Sequence, residues 1–140
     1  MKKLLIPLAV LLLLSSFVSF NQKREKVTLF MLVQENQLLL EQCIAQKDFS
    51  AAAHLSFIKD IDQDEQAVEF FCNGWGLVPA SRYQGFYYSW NDDTAAIWCG
   101  QPLNMMTPSG SGWLWEESNG DNGYYTEHIC GHFWYYEAWF

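Results

Sequence analysis

The sequence predicts an α+β domain: N-terminal helices packed on one face of a small antiparallel β-sheet built from two hairpins plus a C-terminal strand. Three observations carry this expectation. Neither glycine nor proline interrupts residues 21–73, whereas all nine glycines, all seven tryptophans and all seven tyrosines fall from Asn73 onward. The first part repeats apolar residues at three- and four-residue spacings, the period of a helix face. The second part alternates aromatic runs with Gly, Asn and Asp clusters, which is the chemistry of strands and turns.

The chain opens with a basic pair, Lys2 and Lys3, followed by the apolar run LLIPLAVLLLL and the small residues of SSFVSF. That order predicts a secretory signal over residues 1–20, cleaved after Ser19 or Phe20. Leu4 to Phe20 is 17 residues, the low end of what spans a bilayer, so an uncleaved membrane anchor is the alternative. A secreted or periplasmic chain of about 120 residues remains, the size of one compact domain over 21–140.

Within it, residues 21–72 are expected to be helical. VTLFMLVQENQLLLEQCIAQKDF carries one stripe through Leu29, Leu32, Val33, Leu39, Leu40 and Cys43, interrupted by Asn36. A second helix is expected over SAAAHLSFIKDI with Ser50 as N-cap. A third is expected over DEQAVEFF, where Asp64 and Glu65 suit the positive end of a helix dipole. Residues 73–140 form the aromatic β segment. RYQGFYYSW and TAAIWCG read as one hairpin around NDD, and SGWLWEE and YYTEHICG as a second around SNGDNG.

Charge and cysteine content bound the partners. Once Lys2 and Lys3 leave, six basic residues face sixteen acidic ones, and nucleic acid is excluded because phosphate binding needs a positive patch. After Arg82 there is no Lys or Arg at all. Four cysteines in an exported chain predict two disulfides, Cys43 with Cys72 and Cys99 with Cys130, each pair lying within one half of the chain.

Catalytic signatures are sparse. There is no CxxC, GxSxG, HExxH or Gly-rich phosphate loop, so no cofactor is expected and the balance is against an enzyme. The one catalytic candidate is an acid pair, Glu116 or Glu117 with Glu127, flanking the second hairpin as a hydrolase would require. His128, Cys130 and His132 share one face of an extended strand and are candidate metal ligands; a disulfide at Cys130 would remove the thiolate such a site needs. DIDQDEQAVEFF opens like a calcium loop, but Glu65 stands at its glycine position and Phe71 at its bidentate glutamate.

Nineteen aromatic rings lie between Phe70 and Phe140. A small core accommodates Phe70, Phe71, Phe86, Trp98 and Phe133, and large rings are left on the other face. Trp90, Trp113, Trp115, Trp134 and Tyr136 are therefore the expected ligand surface, rimmed by Asp92, Glu116 and Asp121. Surplus Trp and Tyr beside carboxylates and amides fit a neutral carbohydrate or a protein partner. The alternative is an assembly subunit of the cell envelope, held at a membrane by residues 4–20 and using the same rings in a homo-oligomer. The terminal Phe140, preceded by Ala138, Tyr136 and Trp134, partly fits the end of an outer-membrane barrel, but about 70 residues argue against eight strands of 9 to 11.

Overall fold

The computed structural model describes residues 23–77, 80–94 and 103–140. The expected signal or anchor, Trp98 and Cys99 lie outside the described residues. The chain divides into two units, 1–32 and 33–140. In the first, residues 23–32 are helical, and the Lys26 ammonium stands 5.5 Å from the ring centre of Phe30, one turn on. No helix among the described residues is long and apolar enough to cross a membrane.

The protein is α+β, with a seven-stranded antiparallel sheet and a few helices. Helix α1 (23–35) is followed by α2 (Gln37–Gln46) and α3 (Ser50–Ala53). The stripe that predicts one long helix is broken at Asn36, whose ψ of 9° leaves the helical region. Helix α2 ends at Lys47, which takes φ 53° so that its N–H and that of Asp48 reach the carbonyls of Ile44 and Cys43.

Two expected helices are corrected. The second spans only Ser50–Ala53, with Phe49 at its N-cap and the Asp48 carboxylate accepting the Ser50 N–H at 3.0 Å. The third does not form. Asp64 Oδ1 instead accepts the N–H groups of Gln66 and Ala67, at 2.6 and 2.8 Å, and turns the chain between two strands. Ala67, Val68 and Phe70 are then buried on both sides of a central strand, a burial no single helix face would give.

The strands are β1 (Asp60–Gln63), β2 (Ala67–Leu77), β3 (Ala80–Ser89), β4 (Thr107–Ser109), β5 (Gly112–Glu116), β6 (Gly123–Cys130) and β7 (Phe133–Trp139). Their order across the sheet is β1-β2-β3-β7-β6-β5-β4. Two meanders, β1 to β3 and β4 to β7, therefore join along the β3–β7 seam, and the C-terminal strand is the middle of the sheet. Of the first expected hairpin, RYQGFYYS lies in β3, which pairs with β2 and β7, while the expected second strand TAAIWCG lies outside the described residues after Thr94. The second pair is β5 with β6, antiparallel around the turn at 117–122.

Register assigns each ring to a face. Val68, Phe70, Phe86, Tyr88, Phe133 and Tyr135 share one. There Phe70 and Phe86 stack at 4.6 Å, Phe49 meets Phe70 at 6.3 Å, and Phe57 meets Phe86 at 6.3 Å. On the other face Ala67, Tyr87, Met106, Tyr124, Tyr136 and Ala138 form a buried cluster, with Trp115, Trp134 and Phe140 packed against it. Burying seven Tyr and Phe rings almost completely supplies the main apolar stabilisation, roughly 1.5–3 kcal/mol for each side chain.

Candidate ligand-binding face

The second face is organised in three rows that cross the strands. One runs Asp62, Glu69, Tyr87, Trp134, His128. The next runs Asp60, Phe71, Gly85, Tyr136, Thr126, Trp113. The third runs Gly74, Tyr83, Ala138, Tyr124, Trp115. Acids thus stand at the β1–β2 end, tyrosines in the middle and tryptophans toward β5.

Two glycines make the arrangement possible. Gly85 faces Tyr136 across the β3–β7 seam, and a Cβ there would lie 2.8 Å from the Tyr136 ring. Without it, Tyr136 crosses β3 and donates its hydroxyl to Glu69 Oε1 on β2. Gly74 does the same for Phe71 and Tyr83, whose ring atoms would be 3.2 and 3.4 Å from an added Cβ. The tyrosines are satisfied as well as buried: Tyr87 and Thr126 share a 2.7 Å hydroxyl hydrogen bond, and Thr126 donates to the Tyr135 carbonyl at 2.8 Å.

At the acidic end lies a half-open cavity of about 400 Å³, lined by Asp60, Asp62, Asp64, Ala67, Glu69, Phe71 and Tyr83. Phe71 and Tyr83 meet at 6.1 Å and 53° to form its apolar wall. None of these residues is an expected site residue, because the calcium-loop likeness of DIDQDEQAVEFF fails at Glu65 and Phe71 and helices are expected on both sides of Asp62. The available signal was the period-2 alternation of Asp60 and Asp62 around Ile61, which puts both acids on one face of a strand.

The expected ligand residues divide. Trp113, Trp115 and Trp134 lie on this face, and Trp113 is 39 % exposed. Trp115 and Trp134 are half-buried, and no tryptophan among the described residues is fully buried. The Trp134 Nε1–H is enclosed without a hydrogen-bond partner among the described residues. Tyr136 is corrected: it is sealed, since it lies over Gly85 within the tyrosine cluster. Trp90 belongs elsewhere, packing edge-on against Tyr88 of the first face at 5.3 Å. Asp92 sits in the turn after β3 at φ 52°, 3.7 Å from the His132 ring nitrogen. Asp121 is exposed in the β5–β6 turn, and Glu116 points to the first face by register.

The metal candidates His128 and His132 are separated, together with Cys130. A β-bulge between His128 and Cys130 pairs Cys130 with Phe133, while His128 stays in line with Trp134. Gly131 at φ 50° then turns the chain, and His132 leaves the strand to lie 5.3 Å from the Tyr88 ring. The His128 Nε2 hydrogen-bonds the Gly131 carbonyl at 2.7 Å. No group of three metal-ligating side chains exists among the described residues.

The acid pair is likewise separated. Glu116 faces Gly123, four residues along β6 from Glu127, or roughly 13 Å at the rise of a strand; two-carboxylate sugar hydrolysis needs at most about 9.5 Å. Glu117 stands beyond the end of β5, its N–H held by Asn122. Glu127 accepts a 2.7 Å hydrogen bond from Tyr125, and Glu137 one of 3.3 Å from Tyr135 and a 2.8 Å ion pair from Arg82. Burial, reinforced by these neighbouring carboxylates, pushes both phenol pKa values upward.

Cys43 and Cys72 are free thiols, which corrects their expected bridge, and Cys130 is also free. Pairing within one half assumed that Cys72 ended a helical segment; it instead lies in β2 at a register shift, its Sγ 3.6 Å from the Phe70 carbonyl. Burial raises its pKa to about 12. No family model, curated protein or solved structure matches the chain.

Proposed function

We infer that this chain is a small exported binding domain whose acidic, aromatic sheet face takes a neutral carbohydrate. The observation that carries the reading is the division of labour among the rings. Tyrosine and phenylalanine fill the core, while Trp113, Trp115 and Trp134 stay partly open to solvent on the face that also carries Asp60, Asp62 and Glu69. Indole faces stack on the apolar faces of sugar rings, and carboxylates accept hydrogen bonds from their hydroxyls. Phe49 and Phe57, on either side of α3, reach Phe70 and Phe86 on the opposite face. A glycan array probed with the labelled chain tests the reading: binding to a restricted set of neutral glycans is expected, and silence across the array overturns it.

Export is part of the proposal and rests on the basic, apolar and small-residue order of residues 1–20. N-terminal sequencing of the protein made in its cell of origin should begin near Asn21. An intact Met1 would favour the membrane-anchored assembly subunit.

A further inference from the structure

We propose that the cavity at the acidic end of this same face, over β1, β2 and Tyr83 of β3, takes an organic cation: an ammonium or guanidinium group carried on an apolar chain. Three observations converge on that chemistry. First, among the described residues every ionisable side chain lining the cavity, apart from the phenol of Tyr83, is a carboxylate, and none is basic. Second, the acids surround a volume rather than a point. They form no three-ligand group for a metal ion, and about 400 Å³ is space for a molecule. Third, the remaining wall is Ala67 with Phe71 and Tyr83, two rings 6.1 Å apart, and aromatic surface attracts a cation and packs against a methylene chain.

The carboxylates keep accepting capacity for such a ligand. The hydrogen bonds of Asp60, Asp62 and Asp64 use only Oδ1: Asp60 holds the Ile61 N–H at 2.9 Å, Asp62 the Gln63 N–H at 2.8 Å, and Asp64 caps the turn. Charged groups on an edge strand such as β1 also discourage sheet extension. That role requires neither a cavity nor rings, and both are present. Two sources of the cation share this chemistry, a free polyamine and a lysine or arginine side chain of a peptide.

Calorimetric titration of the full chain with spermidine, and separately with N-acetyl-lysine amide and N-acetyl-arginine amide, tests the site. Amide chemical shifts locate the binding. Saturable binding is expected, with shifts at Ala67, Glu69 and Tyr83, and Asp60→Asn combined with Asp62→Asn should weaken it at least tenfold. These two acids are on an exposed edge strand and cap no turn, so the double variant keeps the fold; Asp64, which does cap one, is left in place. Response to spermidine alone identifies a free polyamine, and response to the amino-acid amides identifies a peptide side chain. Glu116→Gln combined with Glu117→Gln removes the same charge elsewhere and should leave affinity within twofold. Absence of saturation by any of the three, or equal weakening by both double variants, overturns the proposal. Neutral glycans run in parallel separate this inference from the proposed function on which its face rests, since glycan binding without cation binding removes the cation site and leaves the sugar face.

Discussion

Tyr136 of β7 reaches over Gly85 of β3 and donates its hydroxyl to Glu69 of β2, so that one side chain ties together three strands of the sheet. The bond crosses the seam where the two meanders meet, between residues 67 positions apart in the chain. Hydrogen bonds to a charged acceptor contribute about 1.5–3 kcal/mol, more than neutral ones. Tyr136→Phe keeps the ring and removes this bond, and urea denaturation should show a loss within that range.

Gly85 is the permissive half of the same relationship. A methyl group there meets both the Phe70 carbonyl and the Tyr136 ring. Gly85→Ala should therefore destabilise by about 1–3 kcal/mol, the usual cost of overpacking. Combined with Tyr136→Ala, which empties the ring position, the two losses should fall short of additive, and a double-mutant cycle measures the difference.

Thr126 is fully buried and bridges the Tyr87 hydroxyl to the Tyr135 carbonyl. Thr126→Val preserves shape and deletes both bonds. Thermal unfolding should register a loss of about 1–3 kcal/mol, the cost of stranding buried polar groups. Thr126→Ser, which keeps the hydroxyl, should lose less.

The thiols give a pH-dependent prediction. Cys72 is held protonated by burial up to about pH 12, against 9.0 for an ordinary thiol. Its folded pKa is raised, so its contribution to stability is complete below pH 9 and falls as pH rises toward 12, by up to about 1.4 kcal/mol per pH unit. Stability measured from pH 8 to pH 10.5 should fall less steeply in Cys72→Ala than in the parent. A thiol reagent at pH 8 should modify Cys130, which is partly exposed, and reach Cys43 and Cys72 only on unfolding.

The local chemistry of the sequence was legible where neighbours decide it. Aromatic runs around SNGDNG mark the β5–β6 pair. Of the expected core, Phe70, Phe86 and Phe133 are buried. What was hidden depends on distant partners. DEQAVEFF has acids where a helix wants them, yet its alternation is claimed by β1 on one side and β3 on the other. A bulge of one residue turns Cys130 away from His128. Tyr136 is sealed because a glycine 51 residues earlier lies beneath it, and the acidic cavity exists because two segments read as helical are strands.

Tryptophan fluorescence titrated with neutral oligosaccharides is the most direct test of the sheet face as a sugar-binding surface. Saturable quenching or a blue shift is expected in the parent. Trp115→Phe and Trp134→Phe should each weaken binding about tenfold while the chain stays folded, as the second removes an indole N–H that has no partner among the described residues. An unchanged emission spectrum with every oligosaccharide, or undiminished affinity in both variants, would contradict it.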